Sequence, residues 1–221
     1  MSRPRNDKLK EEILKESWQQ FRKYGYNGTT YTKIAEACGI SRNLVQYHFP
    51  KKELLSVAFM ERVMAEAQRS LGISEEELHG NFRAFYEVIY CFFAFLLQEN
   101  GYRKFLQDII LSRERTEKIF AFNLSWTLER IDLPADADLE PIYQEMIVIL
   151  GGFCELMYYC LQHNKPFATG KHLAEFAEHF EKSIAKAAGS SISEPTIFFD
   201  EELEQVVSRA VLKMNHRFDI R

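Results

Sequence analysis

Arg42, Asn43 and Gln46 lie close together in the segment Ser41-Arg-Asn-Leu-Val-Gln-Tyr-His48 and offer three side chains suited to reading nucleic-acid base edges. A guanidinium pairs bidentately with guanine and a carboxamide with adenine, each pairing giving about 1–3 kcal/mol of discrimination. If Val45 points into a core, Arg42, Asn43 and Gln46 point away from it. Around them stand groups suited to phosphate oxygens: Thr30, Thr32, Lys33, Ser41, Tyr47, His48 and Lys52. The same residue types occur on any solvated surface, and His48 also suits a docking position in a core. An element that holds the three readers together against a duplex is therefore required.

The surrounding residues supply one. Thr32–Cys38 carries a short helical pattern, Gly39 interrupts it, and Ser41 is placed to cap a second helix reaching about His48. Two short helices that cross need a small residue at the crossing, which Ala35 provides, and a turn with positive φ, which Gly39 adopts without penalty. Ile34, Cys38, Ile40 and Val45 are the apolar positions expected to join the pair. A second helix of about seven residues is ~10 Å long, enough to enter a major groove. The pattern predicts a helix-turn-helix.

Thr30, Ile34-Ala35 and Gly39-Ile40-Ser41, followed by Tyr47-His48-Phe49-Pro50, Lys52-Glu53 and Leu55, resemble the tetracycline-repressor (TetR) family of bacterial transcriptional regulators. The resemblance covers about the first 60 residues; beyond them only helix number and length are similar. It implies phosphate contacts by the matching threonine, aromatic pair and lysine, an effector cavity in the larger domain, and cytoplasmic action on a double-stranded DNA operator. Two positions depart from the pattern. Gln46 stands where the family usually has Tyr, and Leu44 where a small residue is common, which alters the sequence read rather than the mode of reading.

Bulk properties agree. The 221 residues are 46% hydrophobic with 18 Phe and 10 Tyr, which suits a globular chain and excludes a disordered one. Net charge is −4, yet residues 1–55 carry eleven Lys/Arg against six Asp/Glu, and the remaining seventeen Lys/Arg face twenty-six Asp/Glu. The basic excess thus accompanies the helix-turn-helix, where phosphate attraction is needed. Arg3, Arg5, Lys8 and Lys10 suggest a basic arm on the backbone or minor groove, or else a disordered start. Cys38, Cys91, Cys154 and Cys160 lack CxxC spacing and sit in helical apolar patterns, as reduced core thiols do. No signal-type segment opens the chain, and the apolar runs 88–97 and 146–161 fall short of a bilayer span, so no membrane partner is expected. Nucleophile-elbow, P-loop, zincin and dinucleotide motifs are missing, so no enzymatic activity is expected. No cofactor or metal is expected either, since His172, Glu175, Glu178 and His179 read as a solvated face.

Helical periodicity continues through the chain and predicts an all-α fold. A helix over 8–24 lies across the helix-turn-helix, and 52–71 forms a longer one. Ser74 and Glu77 make a capping box for a helix over 75–98. Further helices are expected over 102–112, 114–131, 138–163, 171–188 and 200–215. The organisation is a three-helix DNA-binding domain over 1–52, a larger ligand-binding and dimerisation domain over 53–188, and a linker with C-terminal helix over 189–221. One short helix reads too few base pairs, and a homodimer on a near-palindrome is the usual remedy. The helices 138–163 and 171–188 are the expected interface. Gly151-Gly152 fits close approach of a partner or an internal crossing; the C-terminal helix fits its own subunit or its partner. Phe85, Tyr86, Tyr90, Phe93, Trp126, Tyr143 and Tyr159 are candidate walls for a small, apolar effector, though each also suits a packed core. Glu155, within Phe-Cys-Glu-Leu-Met-Tyr-Tyr, reads as a buried carboxylate needing a partner: a basic ligand, Arg113 or a group across the dimer. The resulting expectation is a ligand-released repressor in which the 52–71 helix shifts to change the spacing of two DNA-reading heads. The alternative is an interaction module whose helix-turn-helix contacts protein.

Overall fold

The computed structural model describes the backbone of residues 4–98, 101–131, 133, 138–187 and 196–219. Among these residues there are eleven helices and no strand, so the chain is all-α as expected. The elements are α1 (Pro4–Gly28), α2 (Tyr31–Cys38), α3 (Arg42–His48), α4 (Lys52–Leu71), α5 (Glu75–Leu78), α6 (Phe82–Leu97), α7 (Arg103–Ile110), α8 (Arg113–Leu128), α9 (Leu139–Gln162), α10 (Thr169–Ala187) and α11 (Glu201–Arg217).

Helix α1 begins at Pro4, a residue whose fixed φ suits the first helical turn. Lys8 and Lys10 therefore ride on a helix rather than on an extended arm, and the Lys10 ammonium lies 5.7 Å from the centre of the Phe49 ring. Arg3 lies outside the described residues, as does the expected link over 189–195. Gly25, at φ 71° and ψ −177°, breaks the helical path and leaves one further turn before Thr29.

The expected helix over 75–98 is two helices. The Ser74–Glu77 capping box forms in both directions, but α5 stops after four residues, Gly80 takes φ 67°, and Asn81 caps α6 by accepting from the Ala84 N–H at 3.1 Å. A capping side chain and a left-handed glycine separate the polar turn Glu75–Leu78 from the apolar repeat that begins at Phe82.

One continuous core joins the N-terminal helices to the rest. Its densest part is aromatic: Phe59 of α4 lies 5.9 Å from Phe21 of α1, 4.5 Å from Tyr102 and 5.1 Å from Phe105 of α7. Helix α6 is buried on most sides, packed by α4, α10 and α11. Helix α11 lies on α4 and α6 of its own chain. The cysteines are free thiols, with Cys91, Cys154 and Cys160 buried and Cys38 half-buried. At 24 residues, α9 is long and apolar enough to cross a membrane, contrary to the reading of its apolar run. Here one face packs on α10 and α8.

Candidate nucleic-acid interface and interior cavity

The helix-turn-helix is assembled by local chemistry. Thr30 caps α2, its Oγ1 accepting from the Lys33 N–H at 3.3 Å. Gly39 ends that helix at φ 63° and sends its N–H toward the carbonyls of Ala35 and Glu36. Ser41 then caps α3, accepting from the Leu44 N–H at 3.2 Å, a contact of the kind that contributes about 1 kcal/mol. Ile34, Ala35 and Val45 are buried at the crossing, with Cys38 and Ile40 packed beside them. Tyr31, which the sequence did not single out, donates from its hydroxyl to the Phe49 carbonyl at 2.8 Å and fastens the end of α3 to α2. An aromatic beside a threonine cap was the signal available for it.

With Val45 fully buried, Arg42 and Asn43 are exposed and Gln46 is half-exposed. Thr30, Thr32 and Ser41 are exposed as well, and Tyr47 stands out at 74% of its full exposure. His48 is half-buried, its ring 5.4 Å from that of Tyr47. These groups share the outer side of α2 and α3.

The two lysines are placed differently from the expectation of free phosphate donors. Lys33 Nζ donates to the Gly28 carbonyl at 2.8 Å and lies 3.9 Å from the Tyr24 ring centre. Lys52 Nζ donates to the carbonyls of Tyr26 and Thr29 at 2.9 and 3.1 Å, over the Tyr26 ring. Burial, followed by the charge of Arg115, holds the Lys52 ammonium below the usual lysine range. Carbonyls at the end of a helix are left short of helical partners, and these ammonium groups bond the Tyr26 and Gly28 carbonyls of α1 and that of Thr29 just past it. In this state both lysines seat α1 against α2 and α4.

The same end of α1 rests on α7. Asp108 accepts from the Asn27 N–H at 2.9 Å and from Asn27 Nδ2 at 3.1 Å. Gly25 permits this approach, since a Cβ there would stand 2.4 Å from Asp108 Oδ2.

Farther from α3, a cavity of about 60 Å³ lies between α6, α8, α9, α10 and the segment leading into α11, walled by Phe85, Tyr86, Ile89, Leu150, Leu173 and Ile197. Asn123 and Thr127 are its polar lining. The space accepts a few non-hydrogen atoms, and anything larger must push the walls apart. Tyr86 is tethered by its hydroxyl, which donates to the Gly170 carbonyl at 2.9 Å.

Of the expected effector residues, Phe85 and Tyr86 line this cavity. Trp126 packs on Phe85 at 5.5 Å between ring centres, behind the wall. Tyr90 faces a separate groove with Phe167 and Phe199. Phe93 is buried against Phe153 at 4.8 Å, and Tyr143 is half-buried away from both spaces. The burial inferred for Glu155 is overturned: it is exposed on the outer face of α9, as is Tyr159. Val148, Gly152, Glu155 and Tyr159 follow one another at intervals of four, three and four residues and so form one stripe. Val148 is 69% exposed, and nothing lies within 4 Å of where a Cβ on Gly151 would be. The glycine pair therefore serves no tight crossing within the chain; its nearest neighbour is the Phe176 ring, in ordinary contact with a Cβ on Gly152.

The two N-terminal helices crossing at Ala35, with α1 across them, define a helix-turn-helix domain. Residues 13–58 match the family described as "Bacterial regulatory proteins, tetR family". The likeness to that family is carried by this domain. It is 37% identical over 71 residues to the "Uncharacterized HTH-type transcriptional regulator YerO" of Bacillus subtilis (strain 168), covering 32% of this chain and 25% of that protein. It is 34% identical over 55 residues to the "HTH-type transcriptional regulator RutR" of Escherichia coli (strain K12), covering 25% of this chain and 26% of that one. The chain thus spans about a quarter of the length of the curated relatives it matches. A solved "gamma-butyrolactone receptor (ArpA like protein)" aligns over 97% of this chain and 99% of its own, at 16% identity and a TM-score of 0.33, a likeness too loose to bear on the body domain.

Proposed function

We propose that this protein is a cytoplasmic transcriptional repressor that binds a near-palindromic operator as a homodimer and is released by a small, largely apolar effector. The observation that carries the reading is the outward presentation of Arg42, Asn43 and Gln46 on a capped α3 whose opposite face, Val45, is buried. Arg42 is the guanine reader and Asn43 and Gln46 the adenine readers, with Thr30, Thr32, Ser41, Tyr47 and His48 on the phosphates. Lys33 and Lys52 act on phosphate through their charge while holding α1 in place. The stripe Val148–Gly152–Glu155–Tyr159, with α10 beside it, is the face on which the second copy sits; its exposed apolar groups and bare glycines suit a helix packed closely across it. The effector enters the cavity bounded by Phe85 and Tyr86, whose walls offer apolar contact and two uncharged polar groups, Asn123 and Thr127.

Selection of bound duplexes from a random pool tests the reading directly. Enrichment of a two-fold-symmetric site supports it, with log affinity falling linearly against log salt as phosphate contacts require. Active dimeric protein that enriches no site, or binding indifferent to salt, sinks it and favours the protein-interaction module.

A further inference from the structure

The cavity and the helix-turn-helix domain are joined by one stretch of chain that contacts both. At its start, Ile197 forms part of the cavity wall. Glu181 of α10, buried at 1% exposure, anchors the residue before it, accepting from the Thr196 N–H at 3.1 Å and from the Thr196 hydroxyl. Arg83 of α6 clamps the next turn, donating to the Phe198 carbonyl, covering the Phe198 ring at 4.2 Å and pairing with Asp200 at 3.6 Å.

From there α11 runs 17 residues, about 25 Å at 1.5 Å per residue, to the other site. Arg217 pairs with Glu66, a carboxylate of α4 that is itself 1% exposed and also bound by Arg62 and Arg69. Phe218 enters the aromatic cluster, 5.6 Å from Trp18 of α1 and 4.9 Å from Phe95 of α6. The last turn then grips α1 through backbone carbonyls: Gln19 Nε2 donates to Phe218 O at 3.2 Å, and Arg22 Nη1 to Asp219 O at 3.0 Å. Both ends are held by a buried carboxylate, and the middle is a rigid helix.

We propose that residues 196–219 act as a strut that carries the state of the interior cavity to the DNA-reading domain, alongside the path through α4. The cavity is nearly full in this state, so an occupant larger than a few atoms must displace a wall. Ile197 is the wall residue that belongs to the same rigid body as the grip on α1. Displacing it along or across the α11 axis moves Phe218 and Asp219 against Trp18, Gln19 and Arg22, and so reorients α1, on which α2 rests.

The inference rests on reading the cavity as an effector site, but its test needs neither DNA nor effector. Ile197→Phe overfills the cavity from the strut itself, and amide hydrogen exchange of α1 peptides within 13–24 is the readout. Exchange there should accelerate at least tenfold in Ile197→Phe. In a Gln19→Ala/Arg22→Ala/Arg217→Ala/Phe218→Ala background, which removes the side-chain grips at the far end while leaving Glu66 two arginines, Ile197→Phe should disturb α10 and the start of α11 but leave α1 at that background's own rate. Unchanged α1 exchange in Ile197→Phe overturns the strut, and so does equal acceleration in both backgrounds. If Ile197→Phe does not fold, Ile197→Ala, which removes the wall, must alter α1 exchange in the same background-dependent way or the strut is refuted. A chain that enriches no DNA site would instead refute the functional reading and leave this result standing.

Discussion

Replacing Gly25 by alanine should loosen the seat of the helix-turn-helix domain on α7. Two costs add. Gly25 sits at φ 71° and ψ −177°, a region open essentially to glycine alone, where an alanine costs about 1–3 kcal/mol. Its new Cβ would also stand 2.4 Å from Asp108 Oδ2 and 2.9 Å from Lys104 Cγ. Lys104 is exposed and can swing aside, but Asp108 can move only by giving up its two bonds to Asn27, each contributing about 1 kcal/mol. The sum is roughly 3–5 kcal/mol. Gly72→Ala provides the comparison: φ is 81° and nothing lies within 4 Å, so only backbone strain of about 1–2 kcal/mol remains. Urea unfolding of the two variants measures the difference, and hydrogen exchange of residues 26–38 locates it. If Gly25→Ala costs no more than Gly72→Ala, the α1–α7 seat does not constrain the domain and the argument from Asp108 is wrong.

Arg42→Ala should weaken operator binding by about 1–3 kcal/mol and relax base preference at one position per half-site, read by repeating the duplex selection. Thr32→Ala should instead weaken binding evenly across sequences; a sequence-dependent loss would reverse that assignment. Val148→Asp, which places a charge on the apolar stripe of α9, should shift sedimentation from dimer to monomer while helix content is retained; an unchanged dimer would place the interface elsewhere. Alkaline pH should destabilise the chain, because burial pushes the thiols of Cys91 and Cys154 up to about 12. Unfolded thiols titrate near 8.5, so stability is intact below that value and falls as pH rises above it, by about 1.4 kcal/mol per thiol at pH 9.5. Urea midpoints equal at pH 8 and pH 9.5 would contradict this.

What could be read before the structure was the part whose geometry is local. Gly39, the caps Thr30 and Ser41, and the buried Ile34, Ala35 and Val45 act within a dozen or so residues of one another, so spacing alone locates the turn and the outward face of α3. The break at Gly80 was legible in principle, since Asn81 is a good cap and the apolar repeat begins only at Phe82, but the Ser74–Glu77 capping box read as the start of the long helix. Glu155 shows where the same reasoning fails. Apolar neighbours in sequence imply burial only if every face of a helix is covered, and α9 leaves the stripe bearing Val148, Glu155 and Tyr159 open within one chain.

The carboxylates that are buried were missed for the complementary reason. Glu66 and Glu181 sit in ordinary amphipathic helices; Glu66 has Arg62 and Arg69 on its own helix, but Arg217 and Thr196, which complete the partners of the two carboxylates, lie 151 and 15 residues away. A buried carboxylate is tolerated only with partners, so the partners had to be found before the burial could be inferred. Lys33 and Lys52 make the same point within the motif itself. Their charge suggests phosphate contact, yet each ammonium is engaged by backbone carbonyls at or just past the end of α1. Charge therefore sets what such a residue can attract, and the unsatisfied backbone nearby sets where it rests. In this chain the two ammonium groups rest on the end of α1 and hold it against α2 and α4.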